Sequence, residues 1–571
     1  MTTHDSVLRE QAGRRLPDWL LPLLCCCAAS VLILIPFFML GAASGHDFEF
    51  HVASWMDVAY QWKEGILYPR WAGWMNHGFG EPRYIFYPPL SWILGAALTL
   101  LLPGVAVPLL YIVLTQTLAG VSAYFLLRRL VSRRGALLGA LFYTVNPNAL
   151  LMIYIRSDFA EQLACALFPL LLLAALDVCD LLENHRAPAR SIAALAIVYA
   201  AVWLCNAPAG VISSYVMALI IGWAALTRRS WPIVLRGGFA LALGFGLTAF
   251  YIVPAAYEQR WVNIGQALSS GLVPWQNFLF TAIDDVEHTW FNWIASFCAV
   301  CTILVFGLAA LLSRKFSTSG PAKQNRSAYT VLLVTGTAAT FLMLRSTLPL
   351  WNHLPKLRFV QFPWRLMSIV AVVAACFLAA VADKRRGWTG TVLVLTLTVP
   401  LAWFLVRNTW WDEDEMPTMR DQIESGTGFD GTDEYDPRGD DHMDLKTDAP
   451  MIAILAGDSG ELPATDSRVQ VRKWTTQDKE IRVQSPTPAR VALRLLNYPA
   501  WKVTVNGTVV QPERMDDVNQ MVVPVNSGDS EIRVRFARTI DRTAGDTISL
   551  ISGLLALAAL WSSRNPQRLR Q

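Results

Sequence analysis

Long apolar runs separated by short polar segments dominate the chain up to residue 406, and one more lies near its end. A helix needs about 20 apolar residues to cross the hydrocarbon core of a membrane. The pattern predicts twelve membrane-spanning helices, at residues 19–41, 107–127, 136–153, 159–182, 191–206, 208–226, 237–257, 291–313, 328–345, 364–382, 389–406 and 547–562. It therefore predicts a polytopic α-helical membrane protein.

One further apolar run, at residues 90–102, is shorter than the length that a helix needs to cross the membrane. Counting it as a span would place four arginines (Arg128, Arg129, Arg133 and Arg134) on the outer side. Basic residues concentrate on the cytoplasmic side of membrane proteins. The run is therefore predicted to be an interfacial or re-entrant helix.

With that assignment, one choice of orientation places every cluster of basic residues between spans on the cytoplasmic side, together with both termini. Arg9, Arg14 and Arg15 precede the first apolar run, which is longer than the apolar region of a secretion signal. We expect an uncleaved first helix. The opposite side then collects residues 45–89, 154–158, the turn at Asn206, and residues 258–290, 345–363 and 407–546.

The region after residue 406 changes character. Between Asp412 and Asp448 there are 14 acidic and three basic residues without helical periodicity, which predicts a charged loop or partly ordered linker. Turn signals such as Asn506-Gly507 then separate six short alternating runs, which predict a small antiparallel β-domain. The runs are residues 469–471, 480–483, 491–495, 501–505, 521–523 and 532–536. The predicted units are a helical bundle (1–406) with a first outer loop (42–89), an acidic linker (407–465), an extracytoplasmic β-domain (466–545), and a final helix with a basic tail (546–571).

Composition supports this class. The 571 residues are 54% hydrophobic and only 16% charged, whereas soluble proteins carry about 25% charged residues. No basic block with interleaved aromatic residues occurs, so a nucleic-acid partner is not expected. All nine cysteines fall in apolar runs, and the pair Cys298 and Cys301 is predicted to be buried in a helix rather than to bind zinc.

The first outer loop contains the densest collection of chemically active side chains: His46, Asp47, Glu49, His51, Arg70 and Arg83. A carboxylate at the membrane face can act as a general base, and arginines can hold a phosphate through charge-assisted hydrogen bonds. The loop's aromatic residues are predicted to form a belt at the membrane interface. Asp47 has no evident anchoring role and is predicted to be functional.

Two other outer segments carry candidate site residues. Asp158 and Glu161 lie three residues apart at the start of a predicted helix, beside Arg156. They can face one cavity, or Ser157 or Asp158 can cap the helix with Glu161 completing a capping box, and both interpretations can hold together. Arg358, Gln361 and Arg365 lie at the outer end of the tenth span, where they suit a phosphate or pyrophosphate, or ordinary lipid headgroups.

These segments carry a family resemblance. An acid after the first span, an aromatic-Pro-Pro-Leu string before an interfacial helix, and a second acid between spans three and four resemble the GT-C class of integral-membrane glycosyltransferases. The chain more narrowly resembles a bacterial membrane family labelled "6-pyruvoyl-tetrahydropterin synthase related", through five short strings. These are Tyr68-Pro-Arg-Trp71, Phe86-Tyr-Pro-Pro-Leu90, Gln361-Phe-Pro-Trp-Arg365, Asp433-Glu-Tyr-Asp-Pro437 and Tyr498-Pro-Ala-Trp501.

The resemblance implies transfer of a sugar from a polyprenyl-phosphate-linked donor to a lipid, glycan or protein acceptor at the outer face of a bacterial inner membrane. It implies catalytic roles for Asp47, Glu49 and Asp158, and substrate binding by Arg70, Arg83, Arg156, Glu161, Arg358, Gln361 and Arg365. Tyr435 and Trp501 are candidates for acceptor recognition, although Trp501 is expected to pack in the β-domain core.

Some members of the class hold a divalent cation and others need no metal. A Mg²⁺ or Mn²⁺ ion is therefore an open expectation, with His46, Asp47, Glu49, His51 and Asp158 as candidate ligands. A non-catalytic membrane protein that binds or translocates lipid-linked glycans is the alternative function. The sugar, the acceptor, the stereochemistry and the oligomeric state are left open by the sequence.

Overall fold

The structure is a computed structural model that describes residues 17–182, 188–314, 325–383, 387–412, 415–439, 445–455, 468–515 and 518–562. A helical bundle precedes a β-domain, and a last helix follows it. The helices of the first 178 residues are α1 (Leu20–Leu32), α2 (Ile35–Leu40), α3 (Phe48–Lys63), α4 (Arg83–Phe86), α5 (Pro89–Leu101), α6 (Ala106–Leu127), α7 (Arg133–Thr144), α8 (Pro147–Leu151) and α9 (Phe159–Val178).

The remaining helices complete the bundle and flank the β-domain. They are α10 (Pro188–Cys205), α11 (Ala207–Arg228), α12 (Trp231–Leu247), α13 (Ala249–Glu258), α14 (Val286–Arg314), α15 (Arg326–Leu342), α16 (Leu348–His353), α17 (Met367–Ala382), α18 (Gly387–Asn408), α19 (Glu415–Glu424) and α20 (Ile540–Ser562). The architecture confirms the predicted class, a polytopic helical protein with a C-terminal antiparallel β-domain.

Each of the twelve predicted spans coincides with helix, but the number of straight spans is lower. Within the described residues, nine helices are long and apolar enough to cross a membrane, or up to 11 if each of two bent pairs counts as one span. The predicted span 237–257 bends by 73° between α12 and α13, and the span 328–345 leads into a 90° bend before α16. Glycines at 244 and 246 precede the first bend, and glycine is a common cause of helix kinks.

The short apolar run at residues 90–102 forms helix α5, as predicted. Helices α3 and α5 pack closely because Gly95 has no side chain. A Cβ atom at Gly95 would lie 2.2 Å from the indole of Trp55. The first outer loop is therefore held against α5 by direct packing rather than lying free at the surface.

The β-domain consists of two antiparallel sheets. One sheet has the strand order β3-β6-β10-β9 and the other β4-β5-β11-β7-β8. The strands are β3 (Ile452–Leu455), β4 (Arg468–Trp474), β5 (Asp478–Ser485), β6 (Ala489–Leu496), β7 (Trp501–Val505), β8 (Thr508–Val510), β9 (Glu513–Arg514), β10 (Gln520–Val525) and β11 (Gly528–Phe536). All six predicted alternating runs lie in these strands, and buried residues alternate along β5 and β11.

Three features differ from the predicted boundaries. The acidic segment contains helix α19, which buries Met416 and Met419 three residues apart, a stripe too short to show as a sequence period. The same segment contains β3, which pairs with β6. Helix α20 begins at Ile540 rather than residue 546, because Arg542 in its polar first turns is paired with the buried Glu258.

The segments predicted to share the outer side contact one another. Strand β1 (Ala42–Ala43) pairs with β2 (Trp411–Asp412), and Val262 forms a β-bridge with Pro437. At the other end of α9, Asp177 pairs with Arg129 from the end of α6. These contacts place the named outer segments beside one another, whereas the sidedness of the remaining loops and the compartment that each side faces are still predictions.

Half of the aromatic residues of the first outer loop are buried in protein, which corrects the expectation of an interfacial belt for these residues: Phe48, Trp55, Trp71, Phe79, Tyr84 and Phe86. Trp71 is 1% exposed and packs against Trp501 and Tyr498 of the β-domain. Trp501 is itself 6% exposed, so its predicted role in core packing is confirmed. The loop's aromatic residues join the bundle to the β-domain.

Candidate functional site

A tight junction between the first outer loop and the turn after α8 builds the site. Asp47 N donates a 2.8 Å hydrogen bond to Arg156 O, and Gly45 N donates to Ser157 Oγ at 3.0 Å. A Cβ atom at Gly45 would lie 2.4 Å from Ile155 O, so only glycine allows this approach. The junction brings Asp47 next to Arg156 although 109 residues separate them.

The turn itself has an unusual backbone. Residues Met152–Arg156 form a π-helical turn, and Ser157 follows with a left-handed φ of 53°. Irregular turns of this kind are frequent at functional sites. Asp158 then caps α9, its Oδ1 accepting a 2.8 Å hydrogen bond from Glu161 N. The helix cap is thus confirmed for Asp158, whereas the Glu161 carboxylate pairs with Arg156 and Arg365 in the cluster described next.

Arg156 is the centre of a buried ion-pair cluster. Its Nη2 lies 2.6 Å from Asp47 Oδ2 and 3.1 Å from Asp158 Oδ2, and its Nη1 lies 2.9 Å from Glu161 Oε2. One planar guanidinium group therefore positions three carboxylates. We refer to Asp47, His51, Arg156, Asp158, Glu161 and Arg365 as the ion-pair cluster.

Arg365 approaches the same carboxylates from the other side. Its Nε lies 2.9 Å from Glu161 Oε2, and its Nη1 donates to Val360 O at 2.9 Å and Gln361 Oε1 at 3.3 Å. Gln361 adopts a φ of 65° and donates from Nε2 to Ala267 O at 2.8 Å. The sharp turn at Gln361 thus holds Arg365 in place.

His51 contacts the cluster through its ring. Its Nε2 lies 3.5 Å from Asp158 Oδ1, and both side chains are buried. Burial alone raises the pKa of Asp158, but Arg156, His51 and Arg365 outweigh it and hold this pKa well below its usual range. These three partners therefore favour the ionised form of Asp158.

The cluster borders a cavity of about 880 Å³. Asp47, His51, Arg156, Asp158 and Arg365 line part of it, together with His46 and Gln361. Apolar side chains from α10 to α13 line another part, among them Trp203, Val211, Phe245 and Ile252. The cavity therefore offers both charged groups and a large apolar surface to a ligand.

The structure brings together most, but not all, of the sequence-predicted site residues. The ion-pair cluster and cavity lining include His46, Asp47, His51, Arg156, Asp158, Glu161, Gln361 and Arg365. The cavity lining does not include Glu49, Arg70, Arg83 or Arg358. Glu49 and Arg358 are exposed, and their predicted roles are untested.

Two of the separate arginines have local partners. Arg83 pairs with Glu81 at 2.5 Å and donates to Ser54 Oγ and Thr432 Oγ1. Arg70 packs over the Tyr68 ring at 4.4 Å and donates to Phe250 O at 3.4 Å. These contacts hold Arg83 between the first outer loop and the acidic segment that contains Thr432, and they hold Arg70 against α13.

The candidate metal ligands do not form a cation site as placed. No group of three or more His, Cys, Asp or Glu residues among the described residues is arranged to hold a metal ion. Asp47 and Asp158 direct carboxylate oxygens at Arg156 instead. The divalent-cation prediction is untested, and no step proposed below passes through a metal.

Sequence reasoning missed several cavity-lining groups. These are Lys356, His288, Thr432 and Glu434, which line the cavity beside Tyr435, a residue that the sequence did single out. The string Asp433–Pro437 was a family signal, but the acidic composition around it predicted a linker. Only the fold shows that this segment returns to the site.

Residues 84–411 match the model of a protein family described as "6-pyruvoyl-tetrahydropterin synthase related domain; membrane protein". The chain belongs to this family. The predicted membership is confirmed, and the match contains Arg156, Asp158 and Arg365 of the ion-pair cluster. No curated protein shows a significant sequence match to the chain.

Several solved structures show distant similarity. The archaeal oligosaccharyltransferase AglB from Archaeoglobus fulgidus is 14% identical with a TM-score of 0.42, over 68% of this chain and 55% of AglB. The arabinofuranosyltransferase AftD from Mycobacteria is 16% identical with a TM-score of 0.39, over 70% and 29%. ArnT from Cupriavidus metallidurans is 12% identical with a TM-score of 0.33, over 63% and 77%. The chain thus matches about half the length of AglB.

Proposed function

We propose that the protein is a membrane glycosyltransferase that moves a sugar from a polyprenyl-phosphate-linked donor to a lipid, glycan or protein acceptor. The observation that carries the proposal is that the ion-pair cluster and a large apolar lining border the same cavity. A polyprenyl phosphate has the matching chemistry, a charged phosphate joined to a hydrocarbon chain. The sequence resemblance to membrane glycosyltransferases supports the same reaction.

The donor phosphate would lie beside Arg365 and Lys356. Arg365 is already oriented by Glu161 and Gln361, so little ordering is needed when an anion binds. Lys356 is exposed at the cavity and forms no ion pair within the described part of the chain. These cations would stabilise the negative charge that develops on the phosphate as its bond to the anomeric carbon breaks.

The hydrocarbon chain would lie along the apolar lining. Trp203 belongs to α10, Val211 to α11 and Phe245 to α12, so the lining is made where three candidate spans meet. Burying apolar surface of the lipid there contributes about 25 cal/mol per Å². Asp47, the one partly exposed carboxylate of the cluster, would position the acceptor.

In this proposal the site faces the outside of a bacterial inner membrane, with both termini in the cytoplasm and the β-domain covering the site. The charge pattern of the loops supports this orientation. Lipids and the glycosyl acceptor are the expected partners. Reporter fusions within the β-domain test the orientation, since a cytoplasmic signal would contradict it.

The experiment uses the purified full chain in lipid nanodiscs with undecaprenyl phosphate as probe. We expect the wild type to bind the probe, Arg365→Gln to bind at least about tenfold more weakly, and the exposed β-domain variant Arg468→Gln to bind normally. Transfer is then measured from a panel of radiolabelled polyprenyl-phosphate sugars to membrane acceptors.

The outcomes separate the two function classes. If the wild type binds the probe and transfers sugar, and Asp47→Asn abolishes the transfer, the glycosyltransferase is supported. Probe binding without transfer from any donor of the panel supports a protein that binds or translocates lipid-linked glycans. Failure of the wild type to bind the probe contradicts both.

A further inference from the structure

The acidic segment from residue 428 to residue 438, here named the strap, is fixed against the first outer loop. Thr432 N donates to Glu81 Oε2 at 2.8 Å, and Asn76 Nδ2 donates to Asp436 Oδ1 at 2.8 Å. Gly428 has a φ of 70°, and a Cβ atom there would lie 2.4 Å from Trp74 O. The strap is therefore a built part of the site, with anchors on both sides of Glu434.

Three strap residues line the cavity, and one of them is a carboxylate. Tyr435 stacks on Phe86 with ring centroids 5.8 Å apart and an interplanar angle of 9°. Thr432 is held by Arg83, whose Nη2 donates to its Oγ1 at 2.8 Å. Glu434 lies between these two anchored neighbours, so its position at the cavity is set by both.

Glu434 differs from the other carboxylates that line the cavity. Asp47 and Asp158 are both paired with Arg156. Glu434 forms no ion pair with any residue that the structure describes. Protonation of Asp47 or Asp158 would remove an ion pair that holds Arg156, whereas protonation of Glu434 breaks none. Among the carboxylates that line the cavity, Glu434 is therefore the one that can take up a proton without breaking an ion pair with a described residue.

The surroundings of Glu434 suit proton transfer at neutral pH. Its pKa is raised to about 7, chiefly by burial and also by Glu81 and Asp433, while a backbone hydrogen bond and Arg83 act in the opposite direction. A general base works best when its pKa lies near the pH of the reaction. Glu434 meets this condition and also lies at the cavity.

We propose that Glu434 is the general base that accepts the proton of the acceptor hydroxyl. The inference rests on the proposed glycosyl transfer. The acceptor oxygen forms a bond to the anomeric carbon, the bond from that carbon to the donor phosphate oxygen breaks with its electron pair, and the hydroxyl proton moves to Glu434. The polyprenyl phosphate leaves, and Asp47 acts as a positioning residue through Arg156.

The test compares the wild type with Glu434→Gln, Glu434→Asp and the matched control Glu424→Gln, an exposed carboxylate on α19. Undecaprenyl phosphate binding is measured first and should be unchanged in all variants. Infrared difference spectra between acidic and alkaline buffer should show a carboxyl group that titrates near neutral pH in the wild type and the control but not in Glu434→Gln.

Transfer then decides the catalytic role. We expect Glu434→Gln to lower kcat by about 100-fold or more with KM unchanged, and to remove the acidic limb of the pH profile. Glu434→Asp should recover part of the rate. Wild-type turnover in Glu434→Gln, or absence of the titrating carboxyl group from the wild type, overturns the inference. Loss of probe binding by the wild type overturns the proposed function instead, so the two failures are distinguishable.

Discussion

Arg156 shows at the residue scale how one side chain organises the site. It pairs with Asp47, Asp158 and Glu161, and all but Asp47 are buried. Replacing it with alanine would leave the two buried carboxylates of Asp158 and Glu161 with Arg365 as their only arginine partner among the described residues. Loss of one partner from a buried ion pair costs about 3–5 kcal/mol, whereas an exposed pair contributes about 0–1 kcal/mol. We expect Arg156→Ala to lower the thermal unfolding temperature strongly and to abolish transfer.

The matched control for Arg156→Ala is Arg472→Ala, which breaks an exposed ion pair with Glu531 in the β-domain. Both variants are compared with the wild type by thermal unfolding in the same detergent. An equal, small shift for the two variants would show that the cluster does not stabilise the bundle.

Gly45 tests the junction that places Asp47. An alanine Cβ would lie 2.4 Å from Ile155 O and 2.7 Å from Arg156 C, both backbone atoms that cannot move easily. We expect Gly45→Ala to displace Asp47 from Arg156 and to lower transfer at least about tenfold, since small misplacements of catalytic groups reduce rates severely. Gly222→Ala is the control, because a Cβ atom there meets nothing within 4 Å. Equal transfer rates in the two variants would contradict the assigned role of the junction.

At the scale of single elements, the buried Lys479 on β5 makes the β-domain sensitive to pH. It packs over the Trp501 ring at 4.7 Å and donates to Thr475 O and Thr476 O. Burial lowers its pKa from 10.5 to about 7, while Glu64 and Asp478 act in the opposite direction. The unfolded chain therefore binds this proton over a pH range in which the folded domain does not.

The stability of the folded β-domain therefore rises with pH over this range. Lys479 contributes fully to stability above pH 10.5, and its contribution falls as the pH falls towards 7. We expect the unfolding temperature of the β-domain to rise between these values in the wild type, and this part of the rise to disappear in Lys479→Met. The exposed Lys502→Met should retain it. An identical pH profile in Lys479→Met and the wild type would contradict a buried, neutral Lys479.

Element positions were largely predictable from sequence, because hydrophobic periodicity is a local property. The twelve apolar runs and six alternating runs all became helix or strand. The bends after Leu247 and Leu342 were not predictable, since the apolar composition continues through them. The sequence did not predict helix α19, because only Met416 and Met419 mark its buried face.

At the scale of the whole molecule, a buried network joins three regions. Arg542 of α20 donates to both carboxylate oxygens of Glu258 on α13, at 2.8 Å and 2.9 Å, and Tyr498 of the β-domain donates to Glu258 Oε2 at 2.6 Å. Glu258→Gln would leave Arg542 buried without its charge partner, at a cost of about 3–5 kcal/mol. We expect faster proteolysis between the β-domain and α20, measured by the appearance of a released β-domain fragment.

The matched control for Glu258→Gln is Glu531→Gln, because Glu531 forms an exposed ion pair with Arg472. Its proteolysis rate should match that of the wild type. A Glu258→Gln protein that is cleaved no faster than this control would show that the network does not fix the β-domain to the bundle.

The site was only partly predictable because it is assembled from distant segments. Asp47, Asp158 and Arg365 were recognisable as unusual charges at the ends of apolar runs. Their mutual contacts through Arg156 depend on the bundle's packing, which sequence alone does not give. The return of Glu434 to the cavity depends on long-range hydrogen bonds of the strap, so composition assigned that segment to a linker.

The most direct measurement is a density map of the full chain in a nanodisc with undecaprenyl phosphate. The account predicts phosphate density in the cavity within hydrogen-bond distance of Arg365, and prenyl density along Trp203 and Phe245. Phosphate density outside this cavity, or an empty cavity at saturating lipid, would contradict the account.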